Sequence, residues 1–191
     1  MSDPQKMALF GGTFDPVHLG HLYLADLARK ALALDEVRFL PCRISPHKAG
    51  RVSAPSEGRL EMLRLATGGL PWAIVDDCEI RRAGPSFSYQ TAEAMSVQFP
   101  SSRLFWIMGM DQWEALPDWA EPQRLAEIVE FIVFARGRAP EPRDGYRLHF
   151  VEGEHPASAS AIRDAIASGE TEHPWLAPNV AAWIREHRLY V

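Results

Sequence analysis

Two histidines, His18 and His21, stand three residues apart shortly after a glycine pair, Gly11 and Gly12, in the stretch ALFGGTFDPVHLGHLYLADLARKAL (Ala8–Leu32). Side chains three apart share one face of a helix. At a helix start, the first N–H groups lack partners inside the helix and the dipole is positive. Two imidazoles beside such a terminus make an anion site, and a glycine turn lets the ligand reach the main chain. The set suits a polyphosphate. An HxxH pair is equally compatible with two surface or internally satisfied histidines, and Gly-Gly with a plain tight turn. Zinc is poorly served, because no cluster of Cys, His or carboxylate residues nearby completes four ligands. No GxxxxGK[ST] loop occurs, so a phosphate cradle of the Walker type is excluded.

For the histidines to work in this way, a strand must end at the glycines and a helix must begin just beyond them. Met7–Phe10 is a continuous apolar run, as expected of a strand buried on both faces. Leu19–Leu32 carries apolar residues at helical spacing, at Leu24, Leu27, Ala28, Ala31 and Leu32. The alternation continues along the chain. Strands are expected at Val37–Leu40, Ala73–Val75, Leu104–Met108, Phe131–Phe134 and Leu148–Val151. Helices are expected at Ser56–Ala66, Thr91–Phe99, Pro122–Val129, Ser160–Ser168 and Pro178–His187. Ser56 reads as a capping serine and Gly169 as a helix stop. This order predicts an α/β fold, a doubly wound and mainly parallel sheet that binds ligands at the carboxyl ends of its strands. Cys42–Pro55 and Arg136–Gly145 read as loops too short to be linkers, so residues 1–191 are expected to form one domain.

The net charge of −5 gives no global field for nucleic acid, so an anionic ligand must be met by a local cluster. The two cysteines, Cys42 and Cys78, support neither a disulfide framework nor a structural zinc site. No apolar run reaches membrane-spanning length and the first residues do not read as a signal peptide, so a cytoplasmic location is expected.

GGTFDPVHLGH at a strand-to-helix junction resembles the T/HxGH motif of the nucleotidyltransferase superfamily. Later segments narrow the likeness. Pro46-His47-Lys48 resembles the PPHK loop of bacterial nicotinate mononucleotide adenylyltransferases, and Cys78–Met95 resembles their ExxRxGxSYTxxTL. Phe105–Leu125 resembles FIxGxDxxxxLxxWxxxxxL, Ser158–Ile166 falls where that family has SSTxIR, and VAAWIREHRLYV resembles its YIxxxxLY tail. The likeness thus runs in order along nearly the whole chain. It departs at Phe87 and Ser88, in place of Tyr and Thr, and at Ala159 and Ser160, in place of Ser and Thr.

The resemblance implies a Rossmann-like nucleotidyltransferase domain that transfers the adenylyl group of ATP to nicotinate mononucleotide, giving deamido-NAD and pyrophosphate. It implies catalytic roles for His18, His21 and Arg163, and ATP contacts at Gly11, Gly12, Thr13, Phe14, Lys48, Asp111, Ser158 and Ser160. Acceptor contacts are implied at Ser86, Phe87, Trp119 and Arg136, with the Trp119 indole stacked on the pyridine ring. Asp111 also reads as a helix N-cap, Lys48 as an exposed loop lysine and Trp119 as a core tryptophan. Trp72 and Trp183 read as packing. An acceptor phosphate is already anionic, so no general base is expected, and catalysis reduces to in-line positioning and charge stabilisation. Mg²⁺ would be held mainly by ATP phosphates and water, with no protein metal site. The alternatives are a catalytically silent nucleotide sensor and a phosphopantetheine adenylyltransferase.

Overall fold

The protein is described here by a computed structural model covering residues 4–46, 53–170 and 172–191. Its chain runs β1 (Lys6–Gly12), α1 (Leu19–Leu32), β2 (Glu36–Pro41), α2 (Ser56–Thr67), β3 (Ala73–Val75), α3 (Cys78–Arg81) and α4 (Ser88–Gln98). It continues with β4 (Arg103–Gly109), α5 (Met110–Ala115), α6 (Pro122–Ile128), β5 (Val129–Ala135), β6 (Leu148–Glu152), α7 (Ala159–Ala167) and α8 (Pro178–Glu186). The strands form one sheet in the order β3-β2-β1-β4-β5-β6, and every neighbouring pair is parallel.

Side chains alternate across the sheet and build two cores. Ala8 and Phe10 of β1, Phe105 and Ile107 of β4, and Ile132 and Phe134 of β5 face one layer, with Ala25 and Ala28 of α1, Met62 and Leu63 of α2, Ile162 of α7 and Ile184 of α8. Met7, Leu9, Leu104, Trp106, Met108, Phe131 and Val133 face the other, against Met95 of α4, Trp113 of α5 and Leu125 of α6. Both faces of the central strands are covered, which is why their sequences read as unbroken apolar runs. Each fully buried Val, Leu, Ile, Phe or Met side chain contributes about 1.5–3 kcal/mol relative to exposure. Trp72 and Trp183 pack against the first core, as read from the sequence.

The sheet order reverses between β1 and β4, and the crevice for ligands opens outside the carboxyl ends of these two strands. Gly12 ends β1 there, and Gly109 ends β4. The expected strands and long helices are all present. The helix read as Thr91–Phe99 begins earlier, at Ser88, and α3 and α5 are additional. Ser56 is not the cap of α2. Pro55 holds that position, and the Ser56 hydroxyl donates to Glu57 instead (2.9 Å). Gly169 closes the turn after α7 at φ +97°, a conformation in which glycine has no steric penalty.

Candidate active site

Two cavities meet at the switch point. The larger, about 430 Å³, lies between the Gly11–Asp15 turn, the start of α1, the end of β4 and the start of α7. The smaller, about 120 Å³, lies on the β2 and α4 side. Gly11, Gly12, Thr13 and Gln112 line both. Gly11 is required for this wall: a Cβ there would come within 2.9 Å of the Trp106 ring, which lines the smaller cavity.

His18 and His21 stack at the mouth of α1, ring centroids 3.7 Å apart. The main-chain N–H of His18 donates to His21 Nδ1 (3.2 Å), which assigns the proton of a neutral His21 ring to Nε2. Phe14 packs edge-on to His21 at 5.0 Å. His18 is buried, and its Nδ1 is the one buried side-chain polar atom without a hydrogen-bond partner among the described residues. Burial, and then the neighbouring His155, push its pKa down from 6.5 to about 4. His18 is therefore neutral at pH 7, and it can serve an anion as a hydrogen-bond donor rather than as a charge. The helix start is also less open than its sequence implies. Leu19 N–H donates to Trp175 O (2.8 Å), and His21 N–H to His18 O (2.9 Å).

The glycine turn is held from behind by groups that sequence reasoning missed. The buried Arg59 guanidinium donates to Thr13 O (2.7 Å), Cys42 O (2.8 Å) and Ala54 O (3.0 Å). The buried carboxylate of Asp15 accepts from Tyr190 Oη (2.7 Å) and from Ala54 N–H (3.1 Å). Burial, then the Asp15 hydrogen bond, raises the Tyr190 pKa, so the phenol stays protonated and donates. Arg163 of α7 reaches the same turn, with Nη1 donating to Asp15 O (2.6 Å). The signals were faint: an arginine amid the apolar residues of α2, and the tyrosine of the terminal LY.

The other expected residues are placed as follows. Asp111 lines the larger cavity and is exposed, and Gly109 rather than Asp111 holds the cap position of α5. Ser158 caps α7 by position, but its hydroxyl pairs with that of Ser160 (2.8 Å), and Ala157, Ala159 and Arg163 form the cavity wall there. Lys48 lies outside the described residues. Ser86 and Trp119 line the smaller cavity, but Phe87 does not; its ring stacks with Tyr89 at 6.1 Å. Arg136 lines neither cavity. It is 77% exposed and pairs with Glu154 (2.6 Å), because β5 ends one residue earlier and turns it outward. Gln112 lines both cavities, and its Oε1 accepts from Gly109 N–H (3.2 Å).

In the smaller cavity the buried Glu79 carboxylate accepts from Thr91 Oγ1 (2.7 Å), which in turn accepts from Arg82 (2.9 Å). Burial pushes the Glu79 pKa up, against the opposing pull of these partners. Ser86 Oγ accepts from Arg43 N–H (3.0 Å). Two of its polar groups, Glu79 and Ser86, thus already have protein partners, and its aromatic surface comes from Trp106 and Trp119.

Residues 9–165 match the cytidylyltransferase-like family, which sets the class as a nucleotidyltransferase. A relative from Geobacillus thermodenitrificans, named "Probable nicotinate-nucleotide adenylyltransferase", is 36% identical over 188 residues, covering 97% of this chain and 86% of its own. One of the same name from Listeria welshimeri is 37% identical over 187 residues, covering 97% of each chain. The fold matches that of a Plasmodium falciparum nicotinic acid mononucleotide adenylyltransferase complexed with NaAD, with a TM-score of 0.80, 16% identity and 97% of each chain covered. The chain belongs to the cytidylyltransferase-like family and, within it, to the nicotinate-nucleotide adenylyltransferases.

No helix is long and apolar enough to cross a membrane among the described residues.

Proposed function

We propose that this protein transfers the adenylyl group of ATP to nicotinate mononucleotide, releasing pyrophosphate and deamido-NAD, a step of NAD biosynthesis carried out in the cytoplasm. The observation that carries the reading is the pair of adjoining cavities that share Gly11, Gly12, Thr13 and Gln112. ATP takes the larger and the pyridine nucleotide the smaller, so that the two reacting phosphates meet over the glycine turn. An anionic oxygen of the acceptor phosphate forms the new bond to the α-phosphorus of ATP, the bond to the β-phosphate oxygen breaks, and pyrophosphate leaves with that electron pair. No proton need be removed, so no general base is assigned.

His18 donates a hydrogen bond from a neutral, desolvated ring, His21 stands stacked beside it, and Arg163 brings permanent charge. Thr13 and Phe14 shape the turn, and Asp111 is the ribose partner. Lys48, Ser158 and Ser160 complete the phosphate side in this reading, while Ser86, Phe87 and Trp119 frame the acceptor. Arg136, exposed just beyond β5 and paired with Glu154, is left to the acceptor phosphate as the resemblance implies. Among the described residues no three His, Cys, Asp or Glu side chains converge as metal ligands. In this reading Mg²⁺ would arrive on the phosphates of ATP and neutralise their charge. The test is pyrophosphate release with ATP, Mg²⁺ and each candidate acceptor. The expected result is turnover with nicotinate mononucleotide, at a kcat/KM roughly 10²-fold above that of its amide, because a polar site left unpaired discriminates by about that much. Absence of turnover, or preference for a phosphopantetheine acceptor, overturns the reading.

A further inference from the structure

We infer that His155 is a third imidazole of the polyphosphate site, one that binds the β- and γ-phosphates of ATP and then the departing pyrophosphate. The inference rests on the adenylyl-transfer reading above and adds to it a residue that lies outside the matched Ser158–Arg163 motif. His155 lines the 430 Å³ cavity from the segment between β6 and α7, opposite His18 at the start of α1. The two rings converge over Gly20. A Cβ at that position would lie 3.0 Å from His155 Nδ1 and 3.0 Å from His18 Nδ1, tighter than most side-chain contacts, so both rings close in on the space that glycine leaves. Of the two nitrogens, that of His18 is buried and unpartnered, which marks this corner as a place where a hydrogen-bonding ligand is expected.

The chemistry of the corner identifies the ligand. His155 Nδ1 accepts from the Ala157 main-chain N–H (3.1 Å), so the ring proton sits on Nε2 and the ring offers a donor. The starts of two helices, α1 and α7, flank it, and both dipoles favour an anion there. Charge is scarce in this cavity. Asp15 and Asp111 are carboxylates, His18 is neutral, and Arg163 is the sole lysine or arginine among the described lining residues. The His155 ring adds one more donor to those of His18, His21 and Arg163 around this cavity. The adenine ring is the competing occupant, because an imidazole can also stack on a base.

The experiment compares wild type with His155→Ala and His155→Gln. The glutamine variant retains an acceptor for Ala157 N–H and a donor for the ligand. Binding is measured by calorimetry with two probes, inorganic pyrophosphate and adenosine, and KM is measured for ATP and for the mononucleotide. The expected result for His155→Ala is a roughly tenfold weaker pyrophosphate affinity and a similarly raised KM for ATP, consistent with a lost hydrogen bond to a charged group. Adenosine affinity and the mononucleotide KM stay unchanged, and His155→Gln recovers most of the loss. Unchanged pyrophosphate affinity in a folded His155→Ala protein overturns the proposal, as does a loss confined to adenosine. If His155→Ala does not fold, His155→Leu, which keeps the bulk and removes both ring nitrogens, takes its place: weakened pyrophosphate affinity with an intact melting transition upholds the proposal, and unchanged affinity overturns it. The pyrophosphate titration needs no turnover, so failure of the adenylyl-transfer reading shows separately, as a wild type that binds pyrophosphate and transfers nothing.

Discussion

On the α1 side of the Gly11–Thr13 turn, the cavity holds about 430 Å³ and leaves His18 Nδ1 buried without a partner. On the α4 side, the cavity of about 120 Å³ is lined by Glu79, which is bonded to Thr91 and through it to Arg82, and by Ser86, which is tied to the Arg43 main chain. The first region is finished only when a ligand brings oxygens to it. In the second, Glu79 and Ser86 already have protein partners, and the cavity adds the aromatic surface of Trp106 and Trp119. Leaving a buried polar atom unpaired costs about 1–3 kcal/mol, which bound ATP would recover on one side and which the fold itself recovers on the other. The phosphate side should therefore respond to mutation through rate and pH, and the acceptor side through the affinity for one substrate.

The largest effect is expected at His21. Its ring is packed by Phe14 and stacked on His18 at the point where phosphate charge would change during transfer. Replacement His21→Ala should lower kcat by on the order of a hundredfold or more, with a smaller change in the KM for ATP, because the contact strengthens in the transition state. Steady-state kinetics at saturating acceptor decide it; wild-type kcat in a folded variant would remove His21 from the chemistry.

His18 makes the same contrast visible without substrate. Its pKa is lowered from 6.5 to about 4, first by burial and then by the neighbouring His155. Below pH 6.5 the unfolded chain takes up a proton that the folded ring refuses until about pH 4, so the unfolded state binds more protons across that window. Stability contributed by the neutral ring is present above pH 6.5 and is lost as pH falls towards 4. The loss amounts to roughly 3 kcal/mol at the lower end. The check is urea unfolding of wild type and His18→Asn from pH 7 to pH 4. The difference in stability between the two should move by that amount in favour of the variant on acidification, and a constant difference would show that the ring is not held neutral.

How much of this was legible follows the range of the interactions. The strands of both cores were readable because burial on two faces leaves unbroken apolar runs such as Phe131–Phe134. Gly11, Gly12, His18 and His21 were readable because a strand end, a turn and a helix start are contiguous in sequence. Helices α3 and α5 were missed, since four- and six-residue helices carry too few turns for periodicity to register. Asp15 was missed as a junction because its partners Tyr190 and Arg163 lie 175 and 148 residues away. The resemblance placed Arg136 at the acceptor, whereas its pairing with Glu154 just beyond β5 left no trace in the sequence. Hydrogen bonds across long separations leave no local pattern, whereas periodicity and capping do.

The smallest expected effect is also the sharpest test of the difference between the cavities. Trp119 lines the acceptor cavity and is half-buried, so it is neither a core residue like Trp113 nor a surface one. The ring nitrogen of a pyridine mononucleotide carries the bond to ribose and is therefore positively charged. An indole face attracts such a ring by dispersion and by its quadrupole, worth about 1–2 kcal/mol when partly desolvated. Replacement Trp119→Ala should then raise the KM for the mononucleotide roughly tenfold, while Trp119→Phe, which keeps a smaller face, should raise it by roughly threefold. The KM for ATP should not move, because the larger cavity does not include Trp119. Parallel KM determinations for both substrates, with thermal melting to show that the variants fold, separate the cases. A loss of stability with both KM values unchanged would return Trp119 to packing. A rise in the KM for ATP alone would place the acceptor elsewhere and undo the division between the two cavities.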